Sequence, residues 1–306
     1  MELVHDSGYR MYRLGEKSCP ENTFIISSEA GSGILFRPYL AGRELQDRME
    51  GMAAIFMDAV GRQVLGGKKK SNVTELIFLA GGLYYQLNHG FKKKFGAAIP
   101  QCFLGIKRQR VEGSEGAFTA VATYENFESL PDNATVIIGD TIATGATLQK
   151  GIYHLLDSFE ERGYKLENLV VCSLACSVNG ARLMKKIERR VKRDFPQAKV
   201  WLFVAEELFH LMPDGTDLRF LYDDAVMPEE TRKRVLEAYG EHLGKEMRCA
   251  VFDWGTRCKN PIKHYHEFLE FADMMLKTKL DAKSEGVISG MKKETERALA
   301  DFERPL

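Results

Sequence analysis

Short apolar runs alternate with longer amphipathic segments through the middle of the chain. Six runs have the length of buried strands, and several of the intervals between them place apolar residues at helical spacing. Strands that alternate with helices in this way indicate βαβ units. We therefore predict an α/β fold with a mainly parallel open sheet and helices on both faces. The six runs cover residues 75–79, 101–107, 117–124, 135–139, 169–175 and 199–205.

Three segments between these runs are predicted to be helices. The first covers residues 84–95. The second, 146–162, places Leu148, Ile152 and Leu155 on one face, and the glycine that follows it is a typical C-terminal stop. The third, 181–195, is apolar on one face and strongly basic on the other. Such stripes bury their apolar side against a sheet.

The two ends of the chain differ from this middle part. Residues 1–70 show one clear helical pattern, at 43–64, and residues 226–306 show only helical patterns, at 228–243, 261–278 and 284–302. We therefore predict an N-terminal lead-in over 1–70, an α/β core over 71–225 and a helical C-terminal extension over 226–306. The extension is expected to pack on the α/β core, to cap the site or to form an interface.

Composition excludes several classes of protein. Of the 306 residues, 44% are hydrophobic and 28% are charged, which is typical of globular proteins and excludes a disordered chain. The 43 basic and 43 acidic residues give a net charge of zero, which disfavours a general nucleic-acid binder. No run approaches the roughly 18 apolar residues of a membrane helix, and no secretory signal is visible. A cytoplasmic protein without a membrane partner is predicted.

The cysteines and histidines offer one possible metal site. Cys249, Cys258, His264 and His266 fall within 18 residues. Zinc uses these ligand types, but its structural sites usually contain a closely spaced cysteine pair, and eight residues separate the two cysteines here. Ordinary helix and loop positions are therefore the favoured interpretation, and we predict no metal ligands among the site residues.

The most informative segment joins the run 135–139 to the helix 146–162. An acid, Asp140, stands at the end of the strand, and small residues then lead into the helix. A helix N-terminus offers unpaired N–H groups and a partial positive charge to a phosphate. The acid would instead face ribose hydroxyls or Mg²⁺. The segment therefore favours a ligand with both a sugar diol and a phosphate, although a plain strand-turn-helix remains an alternative.

The residues 140–147, Asp-Thr-Ile-Ala-Thr-Gly-Ala-Thr, resemble the phosphoribosyl pyrophosphate loop of type I phosphoribosyltransferases. Most members have a second acid where Thr141 stands. The uracil phosphoribosyltransferase branch also lacks that acid, and the triplet Ala143-Thr144-Gly145 resembles this branch most. The resemblance covers roughly residues 35–225, and the loop is its specific part.

Three flanking segments are similar to other parts of the same family. Residues 78–83 resemble its pyrophosphate loop, 104–108 its strand leading to a mobile hood, and 213–219 more weakly its base-recognition loop. Two positions depart from the pattern. Leu79 stands where the uracil branch has arginine, and Gly139 stands where a larger residue is usual.

The resemblance implies transfer of ribose 5-phosphate from phosphoribosyl pyrophosphate to a nucleobase-like acceptor, uracil-like by its nearest branch, with release of pyrophosphate. It also implies Mg²⁺ as cofactor and a homodimer or larger assembly. Asp140 and Arg108 are the implied catalytic residues, and a hood at about 111–123 would exclude water. The implied substrate-binding residues are Ala80, Gly81, Gly82, Thr141, Ala143, Thr144, Gly145, Ala146, Thr147 and Asp217.

Two other functions fit the same residues. One is a regulator that senses phosphoribosyl pyrophosphate or a nucleotide without turnover, which Leu79 and the weak base loop favour. Its basic segments at 92–94 and 185–193 would then be a partner or nucleic-acid surface. The other is an enzyme of the same fold with a different acceptor, bound by the helical extension.

Overall fold

The computed structural model describes residues 1–67, 69–79, 81–110, 118–248 and 254–304. Twelve strands lie in these ranges: β1 Glu2–Asp6, β2 Arg10–Arg13, β3 Asn22–Ser27, β4 Val73–Leu79, β5 Gln101–Arg110, β6 Phe118–Asn126, β7 Ala134–Gly139, β8 Leu166–Ser173, β9 Cys176–Ser177, β10 Lys199–Ala205, β11 Leu208–Leu211 and β12 Leu218–Arg219. The same ranges hold nine α-helices: α1 Glu29–Leu35, α2 Gly42–Gln63, α3 Leu87–Phe95, α4 Ala146–Arg162, α5 Val178–Asp194, α6 Glu229–Glu246, α7 Trp254–Lys259, α8 Pro261–Leu276 and α9 Ala282–Phe302.

Nine of the described strands form one sheet in the order β1-β2-β3-β10-β8-β7-β4-β5-β6. The six strands from β3 to β5 in this order pair in parallel, and β1, β2 and β6 pair antiparallel at the two edges. The predicted fold class, an α/β protein with a mainly parallel open sheet, is therefore confirmed. A small second sheet, β12-β11-β9, lies beside the large one.

Both faces of the large sheet are buried, as its apolar strands require. Along β7, Val136 and Ile138 point into one hydrophobic core and Ile137 into the other. Helices α4 and α5 cover the first face, and α2, α3 and the C-terminal helices cover the second. Strands buried on both faces are continuous apolar runs rather than alternating ones, which is why β7 and β10 were recognisable from sequence.

The strand order reverses between β4 and β7. From β4 the chain continues to β5, which lies on one side of β4 in the strand order. After β6 it enters β7, which lies on the other side of β4. The connections that leave β4 and β7 therefore lead to helices on opposite faces of the sheet, α3 and α4. In open α/β sheets, ligands bind at the carboxyl ends of the strands where the strand order reverses in this way.

Residues 1–70 contain more than the predicted helix. Strands β1, β2 and β3 join the large sheet, and β3 pairs in parallel with β10. The sequence pattern did not predict them because the apolar part of β3 is only Phe24-Ile25-Ile26, bounded by polar residues. The division into a lead-in, a core and an extension stays a prediction, although lead-in and core share one sheet.

The C-terminal residues are helical as predicted, and they pack on the core. Val235 and Tyr239 of α6 and Phe268 of α8 belong to the same hydrophobic cluster as Ile137 of the sheet. Helix α7 lies in this region and was not predicted, because its six residues are too few to show a helical period. In the part of the chain that the structure describes, no helix is long and apolar enough to span a membrane.

Candidate functional site

The loop 140–145 connects β7 to α4 at the point where the strand order reverses. Its backbone is fixed by the neighbouring segment after β8. The Asp140 N–H donates to the Cys172 carbonyl at 3.2 Å, and the Ile142 N–H donates to the Ala175 carbonyl at 2.8 Å. The Ile142 carbonyl in turn accepts from the Ser177 N–H at 2.8 Å. These hydrogen bonds anchor the loop backbone to the end of β8 and to the residues that follow it.

Gly145 sets the start of α4. Its φ of +77° is left-handed, and a Cβ there would lie 2.4 Å from the Leu183 side chain, so a side chain is excluded on two grounds. Helix α4 has no side-chain cap, and its first hydrogen bond runs from the Gln149 N–H to the Gly145 carbonyl at 2.8 Å. The N–H groups of the first turn have no intrahelical acceptor and form an anion cradle.

The predicted phosphate-binding residues surround this cradle. Thr144 and Ala146 are exposed, and Ala143 and Thr147 are half-buried. The hydroxyl of Ser177 donates to the Ala143 carbonyl at 2.5 Å, which turns that oxygen away from the cradle and towards α5. The cradle thus presents small side chains and backbone donors, which a phosphomonoester can approach closely.

Asp140 lies half-buried at the carboxyl end of β7. Its Oδ1 accepts from the Thr141 N–H at 2.9 Å. Burial raises the pKa of this carboxyl to about 7, and the Thr141 hydrogen bond opposes the rise. The side chain is consequently poised between its two protonation states near neutral pH. A metal ion or a pair of sugar hydroxyls would favour the ionised form.

Tyr85 connects the segment after β4 to the loop after β7, and its role was not predicted. Its hydroxyl lies 2.9 Å from the Thr141 Oγ1 and accepts from the Leu174 N–H at 3.1 Å. Its ring packs on Gly139, where a Cβ would approach to 2.6 Å. The departure at Gly139 is therefore explained by Tyr85, because a larger residue would displace the ring. Nothing in the sequence linked two residues 54 positions apart.

The segment predicted to be the pyrophosphate loop follows β4. Residues Gly81–Tyr85 form a 3-10 turn, so the helix predicted from 84 begins later, at Leu87. Ala80 lies outside the described residues. A Cβ on Gly82 would lie 3.4 Å from the Gly139 carbonyl oxygen, which places this turn against the end of β7. The structure thus brings Gly81 and Gly82 next to the loop that carries Asp140.

Arg108 lies on β5, where its backbone is in register with Ala120 of β6. Its side chain is outside the description, as are residues 111–117 of the predicted hood. The strands β5 and β6 nevertheless form a long antiparallel pair at the edge of the sheet next to β4. The roles predicted for Arg108 and the hood remain predictions.

The late loop is a turn that lies close to the phosphate cradle. A Cβ on Gly215 would be 3.5 Å from the Thr144 side chain. Asp217 itself is buried, and its Oδ2 accepts from the Arg219 Nε at 2.7 Å. Burial raises the pKa of Asp217, and Arg219 opposes this rise. The carboxylate is thus engaged in an ion pair, and its predicted role in substrate binding remains a prediction.

Among the candidate metal residues of the C-terminal extension, His264 hydrogen-bonds to the backbone. His264 is buried, and its Nε2 donates to the Pro38 carbonyl at 2.8 Å. Burial lowers the pKa of His264 to about 3, so the ring is neutral. Cys249 lies outside the described residues. Among the residues that are described, no group of three or more His, Cys, Asp or Glu side chains is arranged to hold a metal.

No family model and no curated protein matches this chain. Several solved structures are similar. The AQ2163 protein from Aquifex aeolicus matches 61% of this chain and 86% of its own, at 14% identity and a TM-score of 0.42. A hypoxanthine-guanine phosphoribosyltransferase from L. donovani matches 62% of this chain and 96% of its own, at 13% identity and a TM-score of 0.33. A hypoxanthine phosphoribosyltransferase from Staphylococcus aureus matches 44% of this chain and 67% of its own, at 20% identity and a TM-score of 0.30. At such low identities and TM-scores, function has to be inferred from this chain's own residues.

Proposed function

We propose that the protein transfers ribose 5-phosphate from phosphoribosyl pyrophosphate to a nucleobase-like acceptor and releases pyrophosphate. The observation that carries this proposal is the pairing of a preformed anion cradle with a carboxyl group. Asp140 immediately precedes the loop that opens α4, at the reversal point of the sheet. A phosphate on the helix N-terminus and a diol on the acid together describe a ribose 5-phosphate.

The site residues then divide the substrate between them. The backbone of 143–147 holds the 5-phosphate, and Asp140 accepts hydrogen bonds from the 2- and 3-hydroxyls. As the bond from the ribose C1 to pyrophosphate breaks, positive charge grows on the sugar ring. The ionised carboxylate of Asp140 stabilises this charge. An acceptor nitrogen forms the new bond to C1 and loses its proton to water, and pyrophosphate leaves with the electron pair of the broken C1–O bond. Catalysis is then chiefly positioning and electrostatics.

Mg²⁺ fits this donor set as an ion that would bind together with the substrate. The ion prefers oxygen ligands, keeps several waters and is commonly held by one or two carboxylates together with substrate phosphates. Asp140 supplies one such carboxylate, with Oδ1 already held by the Thr141 N–H. When bound, Mg²⁺ would neutralise charge on the leaving pyrophosphate. Asp140 is the residue on this chain that would hold it.

The identity of the acceptor, the cellular compartment and the assembly state are proposed from the sequence. The triplet Ala143-Thr144-Gly145 makes uracil the first base to test. Phosphoribosyltransferases among the similar structures are named for hypoxanthine or for hypoxanthine and guanine, so these bases belong in the same panel. A cytoplasmic homodimer or larger assembly is part of the proposal.

A non-catalytic sensor of phosphoribosyl pyrophosphate is the second candidate. Leu79 favours it, because this half-buried side chain ends β4 beside the pyrophosphate turn and offers no charge to a leaving diphosphate. A sensor would bind the ligand without needing to stabilise its departure. The basic segment 92–94 lends this candidate no support, since Lys93 and Lys94 pair with Glu50 and Asp58 of α2.

Turnover separates the two functions. The assay measures pyrophosphate release from phosphoribosyl pyrophosphate and Mg²⁺ over a panel of bases that includes uracil, hypoxanthine and guanine. A transferase releases pyrophosphate with one base and much more slowly without it, and Asp140→Asn lowers that rate by at least ~100-fold, as expected when a main electrostatic group is lost. Binding without base-dependent release would overturn the transferase and support the sensor.

A further inference from the structure

Trp254 is the first residue of α7, and it lies against the pyrophosphate turn. A Cβ on Gly81 would be 3.8 Å from the Trp254 Cδ1 atom. The Trp254 ring centroid is 5.7 Å from that of Tyr85, whose hydroxyl bonds to Thr141. The C-terminal extension therefore reaches the candidate site through Trp254.

The indole nitrogen of Trp254 is buried without a hydrogen-bond partner among the described residues. The side chain is only 8% exposed. A buried indole N–H is normally bonded, and an unpaired one is costly. The second tryptophan follows that rule, since the Trp201 N–H donates to the Asn168 Oδ1 at 2.9 Å. Trp254 is thus the exception, and it stands beside the proposed site.

The ring places this donor close to the turn. Cδ1, the Trp254 atom nearest to a Cβ on Gly81, is covalently bonded to Nε1, so the donor lies one bond away from the atom that approaches the turn. On the ring's face, the Arg257 guanidinium lies 5.8 Å from the centroid, and its nitrogens donate to the Leu40 and Arg37 carbonyls. Among the described residues, neither Tyr85 nor Arg257 accepts a hydrogen bond from the Trp254 N–H.

We infer that Trp254 is a further ligand of the substrate's diphosphate, to which its indole N–H donates a hydrogen bond. The inference rests on the proposed function, because it takes the turn after β4 as the diphosphate side. It accounts for two observations together: the unpartnered donor, and the absence of a charged side chain at Leu79. A neutral donor positioned by α7 would replace part of what an arginine would supply.

The first test uses Trp254 as its own reporter. The chain has two tryptophans, so the Trp201→Phe variant keeps Trp254 alone. Its emission is followed during titration with inorganic pyrophosphate and Mg²⁺, and separately with ribose 5-phosphate. We expect a saturable change in Trp254 emission with pyrophosphate and a much smaller change with ribose 5-phosphate. An emission spectrum that is unchanged at saturating pyrophosphate, with binding verified by calorimetry, overturns the inference.

The second test removes the donor and keeps the ring. Trp254→Phe should weaken pyrophosphate binding about tenfold, the effect of one hydrogen bond to a charged acceptor, and leave ribose 5-phosphate affinity unchanged. Trp201→Phe, the matched control, should change neither affinity. Equal losses for both ligands would show that Trp254 only supports the fold, and no loss would show that its N–H is not used. If the wild-type protein binds neither ligand, the proposed function itself fails.

Discussion

The two sides of the candidate site are built differently. The phosphate side is fixed by backbone hydrogen bonds from Ile142 and Ser177 and by the left-handed Gly145. The pyrophosphate side is a short 3-10 turn whose neighbours are aromatic side chains, Tyr85 and Trp254. One side is therefore determined by local sequence, and the other by packing from distant parts of the chain. This difference explains why the loop that follows β7 was recognisable from the sequence, whereas the contacts of Tyr85 and Trp254 beside the second side were not predicted.

The largest effect is expected from Gly145→Ala on the phosphate side. A Cβ there meets Leu183 at 2.4 Å and stands on a left-handed backbone, so we expect a loss of about 2–4 kcal/mol in unfolding free energy and a loss of ribose 5-phosphate binding. Gly163→Ala is the matched control, because this C-cap of α4 is also left-handed but has nothing within 4 Å. Denaturant melts and calorimetry measure both quantities. Equal effects of the two substitutions would contradict a special role for Gly145.

The next effect should come from adding charge to the pyrophosphate side. Leu79→Arg places a guanidinium beside the turn, where a charge-assisted hydrogen bond contributes about 1.5–3 kcal/mol. We expect pyrophosphate to bind at least about tenfold more tightly, with ribose 5-phosphate unchanged. Leu79→Met controls for the altered packing. If calorimetry shows no gain for Leu79→Arg, the diphosphate does not lie at this turn.

The third effect is the pH dependence of stability and of ligand binding that Asp140 should produce. Because its folded pKa is about 7 and its ordinary value is 3.8, the folded state holds a proton that the unfolded state releases. Stability therefore falls as pH rises between these two values. Ligand binding does the opposite, since the diol and Mg²⁺ need the ionised form, and should tighten about tenfold from about pH 6 to about pH 8. Asp140→Asn should lose the binding slope, apart from the titration of the ligand itself. It should only lessen the stability slope, because burial also raises the pKa values of Glu75 and Glu206 to about 7. An unchanged binding slope in that variant would assign it to another group.

The smallest effect is expected from Tyr85→Phe, which removes the link between the two sides. The hydroxyl accepts from the Leu174 N–H and bonds to Thr141, so its loss should cost about 1 kcal/mol of stability. Affinity for phosphoribosyl pyrophosphate should fall by a few-fold. Tyr84→Phe, at the neighbouring half-buried tyrosine, is the control. Thermal melts that show the same shift for both variants would indicate that the Tyr85 hydroxyl does not connect the sides.

Sequence predicted those parts of the molecule that depend on local pattern. The bounds of α4 and β10 agree with the predicted segments, and Asp140 lies where a ligand-binding acid was expected. The strands β1 to β3 were missed, because the apolar run of β3 is short and its place in the sheet depends on pairing with β10, about 180 residues away. Tyr85 and Trp254 were missed for the same reason, since their roles arise from packing on Gly139 and Gly81.

The central claim is that the N-terminus of α4 and Asp140 together bind a phosphorylated ribose. Calorimetric titration of the wild-type protein with phosphoribosyl pyrophosphate and Mg²⁺ tests this most directly, beside Asp140→Ala as the comparison. We predict saturable binding in the micromolar range with one site per chain, and a large loss of affinity in the variant. A wild-type protein that produces no binding heat, or an Asp140→Ala variant that binds equally well, would contradict the claim.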